Sequence, residues 1–122
     1  MTTITTPGRI TEISFKATTV EIVPLSGGPS GTPTQIEPAD ADVVVVLATK
    51  GGSGSGNWFQ LSNDFEIGDV VEFYQMDNLS GLAVKDSSGN TVCTTNTPSG
   101  AAIMRRVHNG SAPDWVTINI LG

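Results

Sequence analysis

The chain has 122 residues, a formal net charge of −6 and only 15% charged residues. Six Lys and Arg against twelve Asp and Glu exclude phosphate-backbone binding, whose affinity comes from clustered positive charge, and the pair Arg105-Arg106 is too small to reverse that balance. The length is that of one domain, able to bury about two-thirds of its unfolded surface without a disulfide or metal to hold a core.

Cys93 is the only cysteine, so no intramolecular disulfide is available, and a lone thiol fits assembly in a reducing cytoplasm. The opening Met-Thr-Thr-Ile-Thr-Thr-Pro-Gly has neither the basic nor the apolar region of a secretory signal. The longest apolar run, residues 43–48, falls far short of the roughly eighteen residues a membrane helix needs. With charge so sparse, surface polarity must come from Thr, Ser, Asn and Gly. Such a surface packs against identical neighbours with little side-chain entropy lost.

Helical signals are nearly absent, and fourteen Gly with seven Pro interrupt every candidate. Short β-branched runs between Gly, Pro, Asn and Asp predict strands at residues 9–15, 19–25, 42–49, 58–61, 69–76, 82–85, 91–94, 103–107 and 115–121. The N-terminal strands are expected to form an extended arm able to add onto another molecule. Residues 26–38, rich in Pro and Gly, read as an irregular loop that separates this arm (residues 1–38) from a denser β core (residues 39–122).

Val43-Val44-Val45-Val46 is continuous rather than alternating, so both of its faces should be covered, within a sandwich or by a neighbouring subunit. Residues 51–56, Gly-Gly-Ser-Gly-Ser-Gly, read as a mobile hairpin tip. In residues 115–121, Val116, Ile118 and Ile120 alternate with Thr117 and Asn119. One face of that strand should be core and the other wet or at an interface. The fold class is therefore all-β, a single-domain β-sandwich or jelly-roll-like domain.

Candidate chemistry is thin. His108 is the only histidine and precedes Asn109-Gly110, a turn signal, while the chain has no G-x-S-x-G elbow to activate a serine. One His and one Cys do not supply the three or four ligands of a zinc site, and Cys93 among β-branched neighbours reads as a small buried hydrophobe. Two carboxylate groups, Glu37/Asp40/Asp42 and Asp64/Glu66/Asp69, could each contribute oxygens to a hard cation. Neither matches a calcium-loop pattern, and solvated loop carboxylates are the plainer reading. The glycines at 51–56 lack the Lys-Ser/Thr ending of a phosphate loop. Trp58 and Trp115 begin strands beside loops, where Trp closes a core end, anchors an interface or, if exposed, stacks on sugar. No enzyme, cofactor or metal is expected.

Residues 59–74, F-Q-L-S-N-D-F-E-I-G-D-V-V-E-F-Y, carry the most informative pattern. Leu61 and then Ile67-Gly68-Asp69-Val70-Val71-Glu72 with Tyr74 resemble a motif of small virion proteins of tailed bacteriophages. Ser62 stands where that motif usually has Pro. The stretches Gly81-Leu82-Ala83-Val84-Lys85-Asp86, Ser88-Gly89-Asn90-Thr91-Val92 and Pro98-Ser99-Gly100-Ala101-Ala102-Ile103 also resemble the later segments of such virion proteins, so the resemblance covers roughly the C-terminal half. It implies a capsid decoration (cement) protein on the virion surface, made in the host cytoplasm. It would bind the major capsid protein by surface complementarity, as a homotrimer, with no nucleic-acid or membrane partner. Gly68 should relieve a tight strand entry, and Asp69 should accept backbone hydrogen bonds in that turn. Expected assembly residues are Ile4 and Ile10 in the arm, with Trp58, Arg105, Arg106 and Trp115; the arginines would pair with acidic groups on a neighbour. The alternative is a fibre tip or carbohydrate-binding module presenting Trp58 or Trp115 to a host glycan.

Overall fold

The computed structural model describes residues 18–29, 31–51, 57–77, 81–95, 100–108 and 114–121. All of the regular structure in them is strand: β1 (Val20–Ser26), β2 (Thr34–Ile36), β3 (Val43–Thr49), β4 (Trp58–Leu61), β5 (Val70–Gln75), β6 (Leu82–Lys85), β7 (Thr91–Thr95), β8 (Ala101–Arg106) and β9 (Trp115–Leu121). They form a five-stranded sheet, β1-β3-β5-β8-β9, and a four-stranded sheet, β2-β4-β6-β7. The expected sandwich is what the chain folds into. The expected strand at 9–15, Ile4, Ile10 and residues 52–56 lie outside the described residues; the strands on either side of the expected hairpin tip at 51–56, β3 and β4, belong to opposite sheets and do not pair, so they form no hairpin.

The order within the sandwich has a specific cause. From β1 to β6 the chain changes sheet at every strand, so β1, β3 and β5 run parallel in one layer and β2, β4 and β6 run parallel in the other. A parallel pair needs a crossover of about a dozen residues or more, commonly a helix. Here a strand of the opposite sheet supplies the crossover, and three coils stack on one another. The antiparallel strands β7, β8 and β9 then close the far side of the stack.

Residues 20–36, expected as part of an arm and an irregular loop, contribute β1 and β2 to the two sheets. Pro24 fits because β1 is an edge strand, where a missing donor costs no ladder bond. β2 leaves no local signal because it is three residues long and set among prolines and glycines.

Period-two alternation builds the core. Val44, Val46, Val71, Phe73 and Met104 point inward from the larger sheet, against Ile36, Phe59, Leu61, Leu82, Val84 and Cys93 from the smaller one. Phe59 and Phe73 meet edge to face across the layers with ring centroids 5.1 Å apart, a geometry worth about 0.5–1.5 kcal/mol beyond the area it buries. The strand entry before β5 has the expected form. Gly68 has φ of +98°, and Asp69 Oδ2 accepts the Glu66 amide at 2.8 Å.

The coils are locked together at Gly28, which exchanges two backbone hydrogen bonds with Trp58 at 3.0 and 2.9 Å. A Cβ on Gly28 would stand 2.5 Å from the Thr32 carbonyl oxygen and 3.0 Å from the Thr34 nitrogen, both backbone atoms. Gly28→Ala is expected to destabilise the protein by about 1–3 kcal/mol, read as a lowered urea midpoint with an unchanged m-value.

Candidate functional site

Among the described residues, the strand registers set the outward side chains of the larger sheet in rows. One row across it runs Val20, Val43, Val70, Arg105, Val116; the next runs Ile22, Val45, Glu72, Ile103, Ile118. A third begins Pro24, Leu47, Tyr74. Apolar side chains therefore cross all five strands, with Glu72 and Arg105 as the only charges in these rows. At the two edges the exposure is high, 61% for Ile22 and 65% for Ile118, while the central positions are half-buried by their own neighbours.

The outer face of the smaller sheet has the opposite character. Gln35 donates to Gln60 Oε1 at 2.6 Å, and the Lys85 ammonium lies 3.7 Å from the centre of the Trp58 ring. This contrast marks the larger sheet's outer face as the candidate functional surface, since contiguous exposed apolar surface is a signature of interaction sites. Tyr74 donates its hydroxyl to Glu72 Oε1 at 2.5 Å on this face, and that bond raises the tyrosine pKa above its ordinary value, with burial and the carboxylate charge adding to it.

The expected assembly residues divide between surface and core. Arg105 is exposed within the apolar rows. Trp58 is half-buried on the smaller sheet, with a ring face taken by Lys85. Trp115, 7% exposed, belongs to the core: it meets Phe65 edge to face at 5.3 Å and closes one end of the sandwich.

Arg106, 1% exposed, does not project to a neighbour. Its Nη1 donates to the carbonyls of Asn63 at 2.8 Å and Phe65 at 2.7 Å, its Nη2 to Asn63 Oδ1 at 2.8 Å, and its Nε to the His108 carbonyl at 3.0 Å. Asp114 stands 3.9 Å from the same guanidinium. Alternation along β8 decides the split, because successive residues point to opposite faces. His108 is exposed and enters this arrangement through its backbone alone.

The two carboxylate groups of the sequence converge. Asp40 and Asp42 from the segment before β3, and Asp64, Glu66 and Asp69 from the β4–β5 turn, line one open cleft of about 460 Å³ beside Thr19. Asp42 Oδ2 accepts the Thr19 amide and hydroxyl at 3.1 and 3.2 Å. Ala39 and Asp40 carry the chain through the left-handed region at φ of 47° and 48°. The cleft concentrates negative charge and so attracts cations in general, but among the described residues no three carboxylate, His or Cys groups are placed to share one metal ion. Glu37 lies elsewhere, on an apolar cleft of about 180 Å³ with Val23, Leu25 and Ile36 between the sheets at the β1–β2 end.

Cys93 is buried with its sulfur 3.8 Å from that of Met104. No family model, no curated protein and no solved structure matches this chain.

Two measurements check this geometry. Burial pushes the Cys93 thiol up to about 12, so the folded protein should resist a thiol reagent at pH 8 and react only when denatured. The unfolded thiol ionises near pH 8.5, roughly, so its share of stability is intact below that pH and falls as pH rises towards about 12. Arg106→Met would leave the carbonyl oxygens of Asn63 and Phe65 without their donor. The expected loss is about 3–5 kcal/mol by chemical denaturation, whereas Arg105→Met on the outer face should change stability by less than about 0.5 kcal/mol when both proteins are unfolded at concentrations too low for self-association.

Proposed function

We propose that this chain is a structural protein of a bacteriophage virion, a capsid decoration protein that attaches to the outer shell and stabilises it by non-covalent contact. The observation that carries this reading is the apolar outer face of the larger sheet, a surface suited to being covered in an assembly. The resemblance of residues 59–74 to small virion proteins supplies the kind of assembly. Self-association and attachment to the major capsid protein are both parts of the proposal. Many equivalent sites on a shell convert modest individual contacts into strong collective attachment.

The carbohydrate reading needs an open aromatic platform. Trp115 is buried, and the Lys85 ammonium sits over Trp58, which weakens it.

Purified shells should bind the added protein, and particles lacking it should form yet break at lower temperature. Removing residues 1–8 should weaken attachment by on the order of tenfold or more, while the thermal unfolding of the free protein stays in place. Shells that take up no protein, together with tight binding on a glycan array that Trp58→Ala abolishes, would replace this reading with glycan recognition.

A further inference from the structure

We infer that the outer face of the five-stranded sheet is where two copies of this chain pair, related by a two-fold axis lying in the contact plane. The inference rests on reading this face as covered in the working assembly, requires no capsid, and sets a two-fold pair in place of the homotrimer that the resemblance implies.

Area comes first. Two outward rows about 6.6 Å apart cross all five strands, themselves about 4.8 Å apart, and a third covers β1, β3 and β5, which gives a planar face on the order of 400 Å² per copy. Two such faces together give a planar figure of about 800 Å²; accessible area on a corrugated surface exceeds it, which places the contact in the class of small, weak interfaces. The four-stranded sheet covers only the inner side. Its own outer face, with Gln35, Gln60 and Lys85, is suited to water.

Charge then selects the occupant. Glu72 and Arg105 lie on adjacent strands, one register step apart on the diagonal, because Glu72 pairs with Ile103 and Arg105 with Val70. A two-fold axis that runs along the strands between β5 and β8 keeps most of the two faces in contact and sets each Glu72 one row from the partner's Arg105, within reach of the long arginine side chain, and each Arg105 likewise from the partner's Glu72. One pair per chain thus gives two cross-contacts, the self-complementarity an isologous interface requires. A different partner would have to bring its own matching charges.

Tyr74 holds Glu72 through Oε1, which leaves Oε2 for an incoming guanidinium. These rows are also neutral overall, so the formal charge of −6 is carried by the rest of the chain. Copies meeting through other surfaces approach with like charge, whereas copies meeting through this face do not.

The test is analytical ultracentrifugation of the purified full-length chain across a wide concentration range, with far-UV spectra and urea unfolding as controls for fold. The wild-type chain should reach the mass of two copies. Ile103→Lys, beside Glu72 on β8, should weaken pairing by at least about tenfold while the fold is retained. Glu72→Arg and Arg105→Glu should each weaken it by about tenfold or more, because each sets like charges near one another twice, and the double variant E72R/R105E should return to within about threefold of wild type. The charge swap carries the test if Ile103→Lys fails to fold.

A chain that stays monomeric up to about 100 µM, a mass of three copies, or a dimer indifferent to both Ile103→Lys and the charge reversals would each overturn the pairing. So would a monomer that becomes dimeric only once residues 1–17 are removed, since the chain's own N-terminal segment would then be the cover. Monomers that still coat shells would sink this inference alone. Dimers that bind no shell would sink only the capsid reading.

Discussion

Arg106 delivers its guanidinium into one end of the core, where the carbonyl oxygens of Asn63, Phe65 and His108 and the amide oxygen of Asn63 accept its hydrogen bonds. A charge withdrawn from water in this way is tolerated only when its donors are met and an opposite charge is near. Asp114 at 3.9 Å supplies the latter. The consequence reaches beyond the end of the core. The same residue exchanges backbone bonds with the turn, its amide donating to the Asp69 carbonyl at 3.0 Å and its carbonyl accepting the Gly68 amide at 2.8 Å. The β4–β5 turn is thereby fastened to the end of β8 by both backbone and side chain. That fixes which residues of β5 and β8 stand opposite each other. A slip of one residue would turn every side chain of β8 to the other face, taking Arg106 out of the core and Arg105 into it.

Register therefore sets the outer face as well as the core. With Val71 opposite Met104 and Phe73 opposite Ala102, the inner face closes on Phe59, Leu61 and Val84. The same register leaves Glu72 beside Ile103 and Val70 beside Arg105 on the outside. Because β1, β3 and β5 are successive turns of one winding, their outward residues align in straight rows. Three adjacent parallel strands then repeat an apolar choice at the same height: Val20, Val43 and Val70. An ordinary solvated sheet face would place Thr, Lys or Gln there, as the smaller sheet does.

Much of this fold was legible in the sequence because strand boundaries are set locally. Gly, Pro, Asn and Asp end the runs, and β-branched residues fill them, so residues 58–61 and 82–85 match β4 and β6 to the residue. What could not be read was the partner of each strand. The alternation of sheets from β1 to β6 depends on contacts between coils, which no local pattern encodes. β2 is hidden among its prolines and glycines for a related reason: its three residues are held as a strand by pairing to β4. Trp115 and Arg106 show the same limit from the side of the site. Composition marks an arginine and a tryptophan as interface residues, whereas alternation along β8 and the ring of Phe65 make them core. The two acidic groups could be seen separately in the sequence, but only the fold brings them to one cleft.

The apolar outer face was present in the sequence in a form that misleads. Alternating Val116, Thr117 and Ile118 invites the assumption that the apolar set faces the core. Instead Val116 and Ile118 are exposed, while Thr117 turns inward and donates its hydroxyl to the Val92 carbonyl at 3.1 Å. The valine run of β3 carries the same message, since its two parities are both apolar and only Val44, Val46 and Ala48 are buried. A strand that is apolar on both faces in a sandwich only two layers deep has one face more than the core can use. The two edge strands, β1 and β9, are apolar on that same outward side, so the excess is organised into one surface rather than scattered. Scattered apolar residues are normal on any protein and carry no meaning; register-aligned rows of them across five strands are what motivates the proposal that this face is covered in an assembly, by the same physics that makes the opposite face a core.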